Sequence, residues 1–254
     1  MGRLPDSAMV VSGSVEGAQI SGFSNINGGY TEGFQAAGFA NVVEDSSEML
    51  QIAGFGNITR QTEGVQAAGF GNVTESITGA QLAGFGNISS MVEGIQASGF
   101  INIADSVEGI QGAGFINVAR KVEGLQLAGF INLCDSIDGI PIAPFSIVKK
   151  NGYLRFEFST NELLFMNVSA KIGVRQFYTL YSFGNKPGIS DYNFNFGYGA
   201  GTSIRMSETT SFDPQVIVTH YYEKLWRNYN QLTSLDLLFM FNWPNMSDCL
   251  PDLQ

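Results

Sequence analysis

A heptad, Gln-x-x-Gly-Phe-x-Asn, recurs through the first half of this chain, and no other feature restricts the possible folds so severely. It begins at Gln19, Gln35, Gln51, Gln66, Gln81, Gln96, Gln111 and Gln126, and a degenerate ninth copy covers 141–147. The first two intervals are 16 residues and the others are 15. Gln and Asn are always six residues apart within a full copy. The extra residue of the long units therefore falls between Asn and the next Gln. A corner is expected there, with the Gln-to-Asn segment as the rigid part.

The near-constant residues, as in Val107, Gly109, Gln111, Ala113, Phe115 and Asn117, stand on every second position. Period two is the mark of a β-strand. A glycine in every unit and the lack of an i, i+3, i+4 apolar stripe argue against a helix. Fifteen residues fit one small coil of a β-solenoid, stacked about 4.8 Å above the last. The expectation is an all-β chain: an N-terminal segment over 1–13, a β-solenoid of about nine coils over 14–147 and an antiparallel, barrel-like β-domain over 148–254.

In-register stacking turns each repeated residue into a column. The Phe column, Phe23 through Phe145, is expected to form a continuous aromatic core, and the Asn and Gln columns to form amide ladders. The Gly column from Gly22 to Gly129 calls for a bend with positive φ or a close backbone approach. Three residues before each Gln stand Glu16, Glu32, Glu48, Glu63, Thr78, Glu93, Glu108, Glu123 and Asp138, eight acids in nine positions. Stacked carboxylates repel, so this column must face water or counter-ions. Glu63, Glu93, Glu108, Glu123 and Asp138 are the candidate cation stripe; the plainer reading is a solvated edge, because nothing in the repeat supplies the 6–8 oxygens typical of Ca²⁺.

After Phe145 the texture changes to aromatic strands. Leu154, Phe156 and Phe158 alternate with Arg155, Glu157 and Ser159, and similar segments run over 164–175, 177–183, 192–199, 215–226 and 232–241. Turn clusters at 184–188 and 227–230 separate them. This is the dyad pattern of an outer-membrane barrel, and equally that of a soluble sheet with one packed face. Six strands are fewer than the eight of the smallest such barrel.

The tandem units, as in Gly79 to Ile88 and Gly124 to Leu133, resemble the surface-repeat proteins of bacteroidete and leptospiral bacteria. The resemblance covers about residues 14 to 147, and the join through Asn151, Gly152 and Tyr153 is similar to the C-terminal β-domain that follows such arrays. It implies an exported protein of the Gram-negative envelope, an outer-membrane or cell-surface component without established activity. The start of the chain departs from it, since Met1 to Val11 carries neither an apolar h-region nor a lipidation Cys.

Composition sharpens these expectations. Residues 14–147 hold 13 acidic and three basic residues, and thus the whole net charge of −10. Such a surface repels phosphates, so no nucleic-acid partner is expected. Cys134 and Cys249 form no metal-ligand spacing. His220, the single histidine, lies in a strand beside Tyr221 and Tyr222 without a nucleophile elbow, and reads as a packed or interfacial residue. Asn57, Asn72 and Asn87 match glycosylation acceptors but occupy the ladder column, and read as accidents of the repeat. The expectation is a structural, surface-exposed envelope protein with no catalysis and no cofactor, with the outer membrane or envelope proteins as partners. The alternative is a binding module whose acidic face takes cations, glycans or envelope proteins.

Overall fold

A computed structural model describes residues 8–160, 166–186, 193–223 and 228–241. The turn clusters at 184–188 and 227–230, parts of the strands expected over 164–175, 192–199 and 215–226, most of the 1–13 segment and Cys249 fall partly or wholly outside these residues. The chain divides into two compact units, Met1–Asn151 and Gly152–Gln254.

The first unit is a β-solenoid of about nine turns. Its strands are β1 (Ala8–Val11), β2 (Val15–Ser21), β3 (Ser24–Asn27), β4 (Thr31–Ala37), β5 (Ala40–Ala53), β6 (Gly56–Ala68), β7 (Gly71–Ala83), β8 (Gly86–Ser98), β9 (Ile101–Ala113), β10 (Ile116–Ala128), β11 (Ile131–Ile142) and β12 (Phe145–Val148). From β5 to β11 each strand pairs in parallel with the next, and like residues face like: Asn87 with Asn102, Glu93 with Glu108, Gln96 with Gln111.

The corner differs in position from the sequence expectation. The break in each coil is the pair Gly-Phe, such as Gly69–Phe70, and it lies inside the heptad. From β5 to β11 the Asn-to-Gln connection is continuous strand whose ladder skips one residue, for example Arg60 opposite Glu75, whereas in the first coil it is broken between Asn27 and Thr31. The extra residue of the second long unit is taken up there, as a register shift between Val43 and Ser46.

Two glycine columns make this stacking possible, for different reasons. Next to Phe, a Cβ on Gly84 would stand 2.1 Å from the carbonyl oxygen of Gly69, so close approach excludes any side chain. At Gly94 the same clash, 2.2 Å from Gly79 O, is joined by a φ of 125°. Among the described residues Met49 alone holds this left-handed conformation without being glycine, with φ 86°. Relieving that strain with Met49→Gly is expected to raise stability by about 1 kcal/mol. Denaturant unfolding followed by far-UV circular dichroism checks the sign, and a loss of stability would show that the Met49 side chain contributes more than its backbone costs.

The Phe column overturns the expected aromatic core. Phe23, Phe39, Phe55, Phe70, Phe85, Phe100, Phe115 and Phe130 are 37 to 50 % exposed. Their rings stack at centroid separations of 4.8 to 5.1 Å on the outside of the solenoid. The Gly-Phe bend breaks the alternation: Ala113 and Asn117 point inward, whereas Phe115 at the vertex between them points out. The interior is filled by Gln and Asn amides, by small residues such as Thr59, Thr74 and Ala104, and by Ile77, Val92, Val107 and Val122.

The second unit is one antiparallel sheet, curled as a half-barrel. Its strands are β13 (Tyr153–Ser159), β14 (Met166–Val174), β15 (Phe177–Lys186), β16 (Asn193–Gly201), β17 (Ile204–Arg205), β18 (Thr210–Glu223) and β19 (Asn228–Phe241). The order is β13-β14-β15-β16-β18-β19, and β17 continues the β16 side of β18. Strand β18 begins earlier than its sequence pattern implies and carries Pro214 in its interior. There Thr202 N donates to Pro214 O across a local break between β16 and β17.

Candidate functional site

The solenoid interior is built from amides. Each Gln Nε2 donates to the Oε1 of the Gln one coil earlier, from Gln35 to Gln19 (2.8 Å) through Gln126 to Gln111 (2.9 Å). The Asn ladder runs the other way: Asn25 Nδ2 donates to Asn41 Oδ1 (2.8 Å), and Asn117 to Asn132 (3.0 Å). A second Asn donor reaches a backbone carbonyl across the coil, as from Asn57 to Ala67 O (2.9 Å), which fixes the direction of that ladder. Opposite polarity leaves one orphan acceptor at opposite ends, Asn25 Oδ1 and Gln126 Oε1. At these ends Met9 stands in the Asn column and Pro141 in the Gln column. Asn57, Asn72 and Asn87, at most 1 % exposed, are closed to glycosylation in the folded chain.

The acidic column lies on the surface. Glu63, Glu93, Glu108, Glu123 and Asp138 are all exposed and stand in register with one another and with Thr78, whose Oγ1 donates to Glu93 Oε2 (3.5 Å). No group of three or more His, Cys, Asp or Glu suited to a metal ion occurs among the described residues. The sequence reading missed a parallel column in which three ion pairs join neighbouring coils: Arg60 with Glu75 (3.8 Å), Arg120 with Asp105 (2.6 Å) and Lys149 with Asp135 (2.7 Å). Lys149 bonding holds the Asp135 carboxyl below its ordinary pKa, and the Asp105 hydrogen bond raises that of Arg120. Inspection of every fifteenth residue from Arg60 to Asp135 could have revealed this column, but its mixed charges and the neutral Ser90 hide it from a search for identity. Since these carboxylates face open water, CaCl₂ and NaCl at equal ionic strength are expected to shift the melting temperature equally, by screening. A further, saturable rise with Ca²⁺ would instead establish a specific site.

In the second unit polarity is inverted. The outward side chains of β13 and β19, among them Leu154, Phe156, Phe158, Leu235, Leu237, Phe239 and Phe241, are 57 to 77 % exposed. Lys171 and Asp213 on the inward face have no exposure at all. Lys171 Nζ lies 2.8 Å from Glu157 Oε1 and 3.8 Å from Asp213 Oδ2, with the Tyr178 ring 5.1 Å away. Ser203 Oγ donates to Asp213 Oδ1 (2.7 Å), and Tyr153 OH to Asp213 Oδ2 (3.3 Å). That last bond joins β13 to β18, which are not neighbours in the sheet; the curl brings them together. Burial, with the Asp213 charge second, pushes the Tyr178 hydroxyl well above its usual pKa, so it remains a neutral donor to Gln215 Oε1 (3.2 Å).

His220 belongs to none of these polar groups. Its ring is half-buried and stacks on Tyr198 at 5.6 Å. Cys134 is a buried thiol, its pKa pushed up to about 11 by burial and then by Asp135. No helix among the described residues is long and apolar enough to cross a membrane. Comparison of the chain with protein-family models, with curated proteins and with solved structures gave no match.

Proposed function

We propose that this chain is a non-enzymatic component of a bacterial cell envelope whose second unit meets lipid through its outward face. The observation that carries the reading is the inverted polarity of the sheet. In water an antiparallel sheet buries its apolar face and shows its polar one. Here Lys171, Asp213, Ser169, Ser182 and Thr219 are buried, while leucines and phenylalanines of β13 and β19 face outward. That partition matches a membrane β-strand, apolar toward hydrocarbon and polar toward the interior. The resemblance of the repeats to bacteroidete and leptospiral surface proteins supports the same placement. Lipid also demands that strand edges be paired, so β13 and β19, which have one neighbour each among the described residues, require strand partners in the bilayer.

The test is to fold the full chain in the presence of phosphatidylcholine vesicles and float them. Co-flotation resistant to alkaline extraction is expected. Leu235→Arg is expected to weaken insertion by roughly 2 to 4 kcal/mol if it lies near the bilayer midplane. A monodisperse protein that ignores vesicles, and in which Leu235→Arg is neutral, would overturn the reading.

A further inference from the structure

We infer that the solenoid carries a binding groove for an unbranched alkyl chain, running along the stack over the coils of Gly56, Gly71 and Gly86. The residue after Phe is Gly in these three consecutive coils and Ile in the next three, at Ile101, Ile116 and Ile131. Where it is Gly, a groove of about 250 Å³ opens, with the rings of Phe55, Phe70 and Phe85 as one wall and Ile58, Val73 and Ile88 as the other. Glycine is the floor. A Cβ on Gly71 would lie 2.8 Å from the Gly86 carbonyl, and one on Gly86 would lie 3.0 Å from Ile101 Cγ2. Ile101 therefore closes one end.

The chemistry of the lining selects the ligand. No charged side chain lines the groove. The amides beneath it are already engaged: Asn72 Nδ2 donates to Leu82 O (2.7 Å) and to Asn87 Oδ1 (2.9 Å). Arg60 and Glu75 belong to the adjoining groove beyond the Ile58–Val73 ridge and pair with each other. A polar or charged ligand would lose its hydration there without replacing its hydrogen bonds. A hydrocarbon loses nothing, and apolar cavities lined by Leu, Ile and Phe are known to take one. The walls repeat at 4.8 Å between Phe55, Phe70 and Phe85. Identical rungs offer equal contact along a line, which suits a straight chain of methylenes better than a compact ring. This inference concerns the first unit and does not depend on how the second meets lipid.

Photolabelling of the full chain tests it. The probe is an n-alcohol bearing a terminal diazirine, competed by a homologous series of plain n-alcohols, with adducts mapped by peptide mass spectrometry. Adducts are expected within residues 55–103. Competitor affinity is expected to rise about fourfold per methylene until the chain outgrows the groove, and then to level off. Ile101→Gly removes the end wall without adding any atom, and should move the plateau to longer alcohols. Gly86→Ile should move it to shorter ones. Competition by a lysophospholipid would identify a lipid tail as the occupant, and competition by alcohols alone a free chain; either outcome supports the groove. Adducts spread evenly from Phe23 to Phe130, or an unchanged plateau in a folded Ile101→Gly protein, would overturn it.

Discussion

Replacing Gly94 by Ala is expected to destroy the solenoid around it, at a cost above about 4 kcal/mol. The new Cβ would meet the Gly79 carbonyl oxygen at 2.2 Å, and the backbone at φ 125° is one that side chains avoid. That carbonyl cannot swing aside, because it belongs to the ladder joining β7 to β8. Two controls separate the causes. Gly17→Ala has the unfavourable φ of 102° with nothing within 4 Å of its Cβ, so it should show strain alone, about 1 to 3 kcal/mol. Gly112→Ala has neither problem; its column also holds Ala67, Leu82 and Leu127, and it should be neutral or gain about 0.4 to 1 kcal/mol. Amide hydrogen exchange across β7 to β9 reads the effect coil by coil. Wild-type protection in Gly94→Ala would mean that the coils are not stacked at this distance.

The second large effect is expected in the interior. Asn87→Leu removes an amide that accepts from Asn72 (2.9 Å) and donates to Asn102 Oδ1 (3.0 Å) and Ala97 O (2.8 Å). Leucine has nearly the same shape, so little cavity forms, but four polar groups lose a partner, the fourth being Gln81 O, to which Asn87 also donates (3.3 Å). At roughly 1 to 3 kcal/mol for each unsatisfied group, a loss of about 4 kcal/mol is expected. The end of a ladder should behave differently. Gln126→Leu takes one partner from Gln111 Oε1 (2.9 Å) and at the same time removes the orphaned Gln126 Oε1, so it should cost far less. Equal losses at both positions, measured by exchange protection of the local coil, would sink the account of the core as two directional ladders.

Much of this architecture is legible without coordinates. The fifteen-residue interval implies parallel coils in register, and identical residues at that interval imply the Gln and Asn ladders, the stacked Phe rings and an acidic column on the surface. Six alternating segments imply the long strands of the second sheet. The glycine beside Phe signals a bend or a close approach, but the outward turn of Phe115 at that vertex is not legible, because period two places it on the same side as Ala113 and Asn117. The Arg60–Glu75 and Arg120–Asp105 pairs were missed because charge compensation repeats no residue type. The Lys171, Glu157 and Asp213 cluster draws on β13, β14 and β18, and its members share no local pattern.

Sequence by itself determined that this is an all-β chain, where its repeats stack and which residues meet from coil to coil, because register follows from periodicity alone. It also divided each strand into two alternating sets. In the solenoid, which members of the near-constant set lie inside was decided only by the tertiary structure. A coil of fifteen residues is narrow, and its interior takes two amides that bond from rung to rung more readily than a column of phenyl rings, which the Gly-Phe vertex turns outward. In the second unit the curl of the sheet decides the same question, by bringing Tyr153 within hydrogen-bonding reach of Asp213 and closing the polar set away from water. Alternation shows that two faces differ; only curvature and available space select the one that becomes the core.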